Sequence, residues 1–335
     1  MRCNKTIIDL SGYMFSGKSA VSDLLREFDS LEVPHFDEEF DLIRTPNGLG
    51  DLLFAMKSKS QIKINYAIYK YICLIKKKAY PPNFYSKFWS YGGFLEKDYP
   101  GILNKTIKFI DEITDFEWDQ ASPFFENDAK PFEIFFNKLK QRFTGDFPWP
   151  KLRYKSIDTE KFFFDVKPYL ISIINHNNSN KAHIIHNALE PFRPSIYFDL
   201  FEKIKCIIVD RDPRDIFMTS IQYSKGFNNN VEVYKRISGA HNIDYFIDKQ
   251  IKMRQSLDAS ENILRLNFED LIIDYENTLL SIMKFLELNE VNHIRKLEFF
   301  NPKSSADNIR LWKTTPSHIQ EISKIEKSMP KYCRL

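Results

Sequence analysis

Apolar residues follow two rhythms along this chain, and the change between them divides it. Thr6-Ile7-Ile8-Asp9-Leu10 is an apolar run of strand length, and Ala20, Val21, Leu24, Leu25 and Phe28 follow at helical spacing. Residues 6 to 28 therefore predict a strand, a loop and an amphipathic helix. From about 34 to 160 alternating strands give way to helical segments broken at Pro81-Pro82, Gly92-Gly93, Pro100-Gly101 and Pro148-Trp149-Pro150. Strand-like runs return at Ala182-His183-Ile184-Ile185-His186, Cys206-Ile207-Ile208-Val209 and Ile263-Leu264-Arg265-Leu266, with helical patterns around 195–201, 216–224, 239–257 and 274–287. Strands alternating with helices predict an α/β fold with a doubly wound parallel sheet. The region 34–160 reads as a large helical, aromatic-rich insertion in a single domain of residues 1–335, expected to cover a site at the carboxyl ends of the strands.

The loop after the first strand carries the first chemistry. Gly12-Tyr13-Met14-Phe15-Ser16-Gly17-Lys18-Ser19 fits G-x-x-x-x-G-K-[ST] at every fixed position, between a strand and a helix as that motif requires. Glycines let successive N–H groups turn inward on an anion, Lys18 adds a point charge, and the helix N-terminus adds its dipole. Gly12, Phe15, Ser16, Gly17, Lys18, Ser19 and Ala20 are thus candidate nucleotide-phosphate contacts in a sheet of P-loop type.

Composition narrows the partners. A net charge of +3 is too small for a nucleic-acid surface, which would show a concentrated basic stripe. Thirty Phe and sixteen Tyr supply many ring faces, for a core or for a substrate region. Cys3, Cys73, Cys206 and Cys333 lie far apart without metal-ligand spacing, so neither zinc nor a disulfide framework is expected, and a reducing, cytoplasmic setting is. No apolar run reaches the length of a membrane span. Tyr66 to Lys78 combines apolar and basic residues and reads either as a packed helix or as a helix lying on a membrane surface.

The second half resembles the sulfotransferases that use 3′-phosphoadenosine 5′-phosphosulfate (PAPS). Ile207-Ile208-Val209-Asp210-Arg211-Asp212-Pro213-Arg214-Asp215, followed by Thr219 and Ser220, is similar to that family's strand, R-D-P-R-D loop and hydroxyl. The resemblance implies that Arg211 and one of the two hydroxyls hold the 3′-phosphate of the donor. Thr219 has the family's spacing and Ser220 its residue type. An arginine at a strand's carboxyl end suits this on physical grounds, since it can fork two N–H bonds onto one phosphate. Leu264-Arg265-Leu266-Asn267-Phe268-Glu269-Asp270-Leu271, Asp274 to Leu279, Lys284 to Leu288 and Asn308-Ile309-Arg310-Leu311-Trp312-Lys313 also look like family segments. Lys303 and Arg310, basic residues ahead of the Trp-Lys pair, become further donor candidates. The resemblance covers about 6–28 and 182–327. It departs where the cytosolic members place lysine before Ser-Gly: Phe15 stands there, and Lys18 follows the glycine instead.

Sulfuryl transfer to a hydroxyl needs a phosphate clamp, a cation on the leaving oxygen and a base for the acceptor proton. Lys18 is the expected cation. His186, at the end of a short strand upstream of the R-D-P-R-D loop, stands near the place of the family's catalytic histidine, although Ile184-Ile185 replaces the lysine and threonine before it. Glu190 is the reserve base, His183 reads as structural, and His35, Asp37, Glu38 and Glu39 form an acidic cluster that could bind acceptor hydroxyls or supply the base. The acceptor is expected to be a small molecule or glycan, with no metal required. Two other readings fit the same loop: a P-loop kinase, with Ser19 and Asp210 on magnesium, and a nucleotide-binding protein without chemistry.

Overall fold

Ile7, Ile8 and Leu10 are buried on both sides of the first strand, as a central strand of a covered parallel sheet demands. The computed structural model describes residues 6–35, 38–79, 94–121, 130–145, 151–175, 179–226, 231–255, 257–314 and 316–334. Cys3, Asp37 and the breaks at Pro81-Pro82, Gly92-Gly93 and Pro148-Trp149-Pro150 lie outside these.

In chain order the elements are β1 (Ile7–Gly12), α1 (Lys18–Leu25), β2 (Leu31–Glu32), α2 (Leu49–Ser58), α3 (Gln61–Ala79), α4 (Phe94–Asp98), α5 (Ile102–Glu112), β3 (Thr114–Ala121), α6 (Pro131–Thr144), β4 (Lys151–Ile157), α7 (Thr159–Ile174), β5 (Ala182–His186), β6 (Ile204–Asp210), α8 (Pro213–Gly226), α9 (Val231–Ser238), α10 (Ile243–Gln255), β7 (Ile263–Asn267), α11 (Phe268–Ile273), α12 (Tyr275–Leu286), α13 (Pro302–Ser305) and α14 (Ile319–Ser328). They form two compact units, Met1–Gly50 with Leu170–Leu335, and Asp51–Tyr169.

The first unit holds a five-stranded sheet in the order β2-β5-β1-β6-β7, in which every pair is parallel. Gly12 pairs with Val209 and Asp210 with Asn267. The loop after β1, the R-D-P-R-D turn after β6 and Phe268 after β7 therefore leave the sheet side by side at its carboxyl edge. One core packs Ile8 and Leu10 of β1 with Val21, Leu24 and Leu25 of α1 and Leu279 and Ile282 of α12. A second joins Phe217 and Ile221 of α8, Phe246 of α10 and Ile325 of α14. The helical pattern read as one stretch over 239–257 begins instead at Ile243. Gly239, at φ 88°, ends the preceding turn in a conformation that breaks a helix.

Among its described residues the second unit is helical apart from one pair of strands. β3 and β4 pair antiparallel from Thr114↔Ile157 to Ala121↔Lys151, and the acidic residues alternating along β3 fall opposite the basic residues alternating along β4, Glu117 opposite Lys155 and Asp119 opposite Arg153. Helix α3 buries Ile64, Ile68, Tyr71 and Ile75, one face at helical spacing, so the segment Tyr66 to Lys78 is a packed helix. The Tyr169 hydroxyl sits 2.7 Å from both the Tyr71 hydroxyl and Thr106 Oγ1, which satisfies three buried polar groups at once. No helix among the described residues is long and apolar enough to cross a membrane.

Candidate active site

Local geometry explains the loop between β1 and α1. Phe15 and Gly17 take left-handed backbone angles, φ 62° and 87°, and Ser16 N–H closes a turn on the Tyr13 carbonyl at 3.0 Å. Glycine is required at 17, since a Cβ there would meet the Phe268 ring at 2.4 Å. Ser16 Oγ is buried without a hydrogen-bond partner.

Arg211 joins this loop to the β6 turn. Its Nη1 donates to the Phe15 carbonyl at 2.9 Å and to Thr219 Oγ1 at 3.1 Å, its Nη2 donates to the Asn308 carbonyl, and its guanidinium lies 5.0 Å from the centre of the Phe268 ring. Its Nε is buried without a partner. Burial lowers the Arg211 pKa, while Asp215, Glu269 and Asp212 work to keep its charge.

The remaining residues of R-D-P-R-D build the turn. Asp212 accepts from Arg214 Nε at 3.0 Å, Arg214 Nη2 at 2.7 Å and Arg334 N–H at 2.9 Å, and donates its own N–H to Glu269 at 2.8 Å. Trp312 covers the Arg214 guanidinium at 4.1 Å. Asp215 accepts the N–H groups of Arg310 and Leu311 at 2.8 and 2.7 Å, which holds Arg310 in its left-handed conformation at φ 60°. Burial pushes the Glu269 carboxyl up to about 7 against the hydrogen bond from Asp212 N–H.

Around Arg211 opens a cavity of about 750 Å³ lined by Phe15, Gly17, Ser19, Ala20, Thr219 and Phe268, among others. Thr219 faces this cavity. Ser220 does not: it is fully buried and its hydroxyl donates back to the Ile216 carbonyl at 2.8 Å, because one residue along a helix turns a side chain away. Lys303 and Arg310 are exposed and do not line the cavity, although their neighbours Asn301, Ser304 and Leu311 do.

Lys18 Nζ lies 3.7 Å from Glu39 Oε1. Glu39 is also held by Arg44 at 3.4 Å and by the side-chain amide of Asn187. Burial lowers the Lys18 pKa, and Glu39 and Asp9 oppose this. A separate cavity of about 510 Å³ is lined by Gly12 and Tyr13 of the loop and by Asp41, Arg44, Glu190 and Phe192. Glu190 thus faces open space. His186 lines neither cavity: it is 1% exposed, with Nε2 3.1 Å from Ser22 Oγ on the buried side of α1.

Asp210 bears on the kinase reading. Its carboxylate is bracketed by the Arg254 guanidinium, with Nε at 3.0 Å, and accepts the Arg211 N–H at 2.8 Å. A metal-binding carboxylate would need those oxygens.

Family comparison covers the second part of this site. The sequence profile described as "Sulfotransferase domain" matches residues 102–331, more than half of the chain and all of the R-D-P-R-D segment. The chain belongs to the sulfotransferase domain family. Among solved structures, the sulfotransferase domain of the Synechococcus PCC 7002 olefin synthase is 12% identical, with 97% of this chain and 94% of that one covered, at a TM-score of 0.41. A sulfotransferase from Mycobacterium tuberculosis is 9% identical over 98% and 77% of the chains at a TM-score of 0.37. Retinol dehydratase, crystallised with androsterone and the inactive cofactor PAP, is 13% identical over 99% and 81% at 0.35. No curated protein matches.

Two groups of this sulfotransferase escaped the motif reading. Asn187, at φ 53°, reaches Glu39 across 148 positions and carries no local sign of that role. Asp9 did carry a sign, a carboxylate inside an apolar strand. It is fully buried, accepts from Ser11 Oγ at 2.7 Å and Ala188 N–H at 2.9 Å, and with Ser11 ties down the chain leading to Glu190.

Asp9 and His186 predict opposing pH effects. Burial raises Asp9 from 3.8 to about 6, so the native state binds that proton more tightly than the unfolded chain. Its stabilising contribution is present at low pH and declines as pH rises from about 4 to about 6. Burial, with the charges of Lys18 and Arg26 acting alike, lowers His186 from 6.5 to about 4. That makes stability rise over about pH 4 to 6.5. Each contribution is of order 3 kcal/mol, so the two largely cancel. Glu269, raised to about 7, adds a falling contribution in every variant, so the expectation is relative to the parent: Asp9→Asn shifts the slope of melting temperature against pH upward through this window, and His186→Gln shifts it downward. Parallel profiles for both variants and the parent would refute the assignment.

Proposed function

We propose that this chain moves a sulfuryl group from PAPS to a hydroxyl acceptor. The observation that carries the reading is Arg211, which ties the phosphate loop to Thr219 on the wall of one cavity. That cavity has the size of a nucleotide site. The buried and unpartnered Ser16 Oγ and Arg211 Nε fit a phosphate-bearing ligand, because buried polar atoms require partners. Binding of PAP by retinol dehydratase supports the same donor class.

The donor, when bound, supplies the sulfuryl group and a phosphate leaving group. Arg211, Thr219 and Ser19 clamp its phosphates, and Lys18 donates a hydrogen bond to the oxygen that leaves sulfur. Glu39, the carboxylate next to Lys18, takes the acceptor's proton as the acceptor oxygen forms its bond to sulfur and the sulfur–phosphate oxygen bond breaks. Arg44 and Asn187 hold Glu39 in place. The acceptor occupies the cavity bearing Tyr13, Asp41, Arg44, Glu190 and Phe192, whose rings and carboxylates suit a hydroxyl-rich molecule such as a sugar. Lys18 and Glu39 do not line it, and Glu39 stands at its margin, 3.4 Å behind Arg44.

Glu39→Gln is expected to lower kcat by about 10²- to 10⁴-fold with donor affinity unchanged, the span of a lost general base. A larger loss in Glu190→Gln would transfer the role to Glu190. Calorimetric titration with adenosine 3′,5′-bisphosphate and with ATP, each with and without magnesium, tests the donor assignment. Metal-independent binding of the bisphosphate supports it; preference for magnesium-ATP sinks it. Bisphosphate binding without turnover on any hydroxyl acceptor would leave a nucleotide-binding protein without chemistry.

A further inference from the structure

Helix α6 is a well-delimited element with no buried residue. Pro131 opens it at a position that needs no N–H, the Glu133 carboxylate accepts the Lys130 N–H at 3.0 Å, and Gly145 at φ 69° closes it on the Gln141 carbonyl. It stands in the connection between the antiparallel strands β3 and β4.

Five of its apolar residues, Phe132, Phe135, Phe136, Leu139 and Phe143, are spaced to fall within an arc of about 100°. All five are exposed, by 55%, 62%, 61%, 40% and 79%. The partly covered side chains, Ile134 and Asn137, lie on the other side of the helix. Such a stripe is inverted for a globular helix, which buries its apolar face. Cations edge it: Lys138 and Arg142 along one margin and Lys140 along the other. From 130 to 145 there are four basic residues and one acid, Glu133.

We infer that α6 docks this protein on an anionic lipid surface. The aromatic stripe would sink to the level of the acyl boundary, and Lys138, Lys140 and Arg142 would extend along its margins to lipid phosphates. Charge complementarity selects this occupant. A second copy of the same chain would bring Lys138 and Arg142 against basic side chains of the other copy, whereas an anionic bilayer neutralises them, each basic side chain adding to the attraction. The inference is independent of the donor and acceptor assignments, because it uses no residue of either cavity.

Sedimentation of the full chain with phosphatidylcholine vesicles, and with vesicles containing about one-third phosphatidylglycerol, tests it. Expected are binding at least about tenfold stronger to the anionic vesicles and reversal by roughly 0.5 M salt. The exposed-face variant Phe135→Glu with Phe136→Glu should lose binding at least tenfold while keeping its circular dichroism and its affinity for adenosine 3′,5′-bisphosphate. Lys138→Glu with Lys140→Glu should abolish the preference for anionic lipid. Failure of the folded parent protein to sediment with anionic vesicles overturns the inference. So does light scattering that shows a dimer dissolved by the phenylalanine variant, which would assign the stripe to a second copy.

Discussion

Arg211→Ala lowers affinity for adenosine 3′,5′-bisphosphate by about 10²- to 10⁴-fold, since two charge-assisted hydrogen bonds to a phosphate are lost, each worth roughly 1.5–3 kcal/mol. Part of the loss comes from the protein itself. Without the guanidinium, the carbonyls of Phe15 and Asn308 lose a donor, and the phosphate loop is no longer tied to Thr219 or to the segment around 308. Arg211→Lys separates charge from geometry: it retains a cation but cannot reach the loop, Thr219 and a phosphate together through one planar fork. We expect it to recover a minor fraction of the affinity. Titration calorimetry reads both variants, and urea unfolding shows whether each is folded. Wild-type affinity in a folded Arg211→Ala protein would remove this residue from the donor site.

Asp212→Ala has the largest expected effect on stability. Asp212 is fully buried and pairs in bidentate fashion with Arg214, itself 1% exposed, while also accepting the Arg334 N–H. Removing it strands a cation beneath Trp312, and breaking a buried pair from one side costs about 3–5 kcal/mol. Glu326, 3.0 Å from Arg214 Nη1, offsets part of this from the solvent side. Denaturant unfolding should show a lower midpoint with an unchanged slope. A loss under about 1 kcal/mol would mean that water and Glu326 solvate Arg214 well enough to replace Asp212.

The four charged residues of R-D-P-R-D thus divide by task. Arg211 alone faces the cavity. Asp212 and Arg214 pin the turn to Glu269, Trp312 and the chain end, and Asp215 fixes the backbone of Arg310 and Leu311. The position of Arg310 before the Trp-Lys pair suggests a donor role; in the structure its backbone N–H is held by Asp215 and the residue is exposed outside the cavity lining.

What could be read from the chain was what rests on local chemistry. The strand, loop and helix over 6–28 follow from apolar spacing and from Gly17, where the backbone turns left-handed. The parallel order of the later strands follows from their alternation with helices. The β3–β4 ladder does carry a two-residue rhythm, Asp115, Glu117 and Asp119 alternating with Phe116 and Trp118, and Lys151, Arg153 and Lys155 with Leu152 and Tyr154. What the chain does not reveal locally is the pairing across the intervening helix, which sets Glu117 opposite Lys155 and Asp119 opposite Arg153. Which of Thr219 and Ser220 meets the cavity depended on 100° of helix rotation, which the spacing from Arg211 suggested and the side-chain packing decided.

The proposed base shows the division most clearly. By position along the chain His186 was the natural candidate, but pairing of β5 beside β1 turns its ring toward Ser22 under α1, where burial holds it neutral. The same fold carries Glu39 to Lys18 and lets Asn187 hold it from across the sheet edge. Residue types and short spacings determined that a phosphate loop and an arginine turn exist; only the tertiary structure decided which side chains share their space, because burial and orientation are properties of packing between segments far apart in sequence.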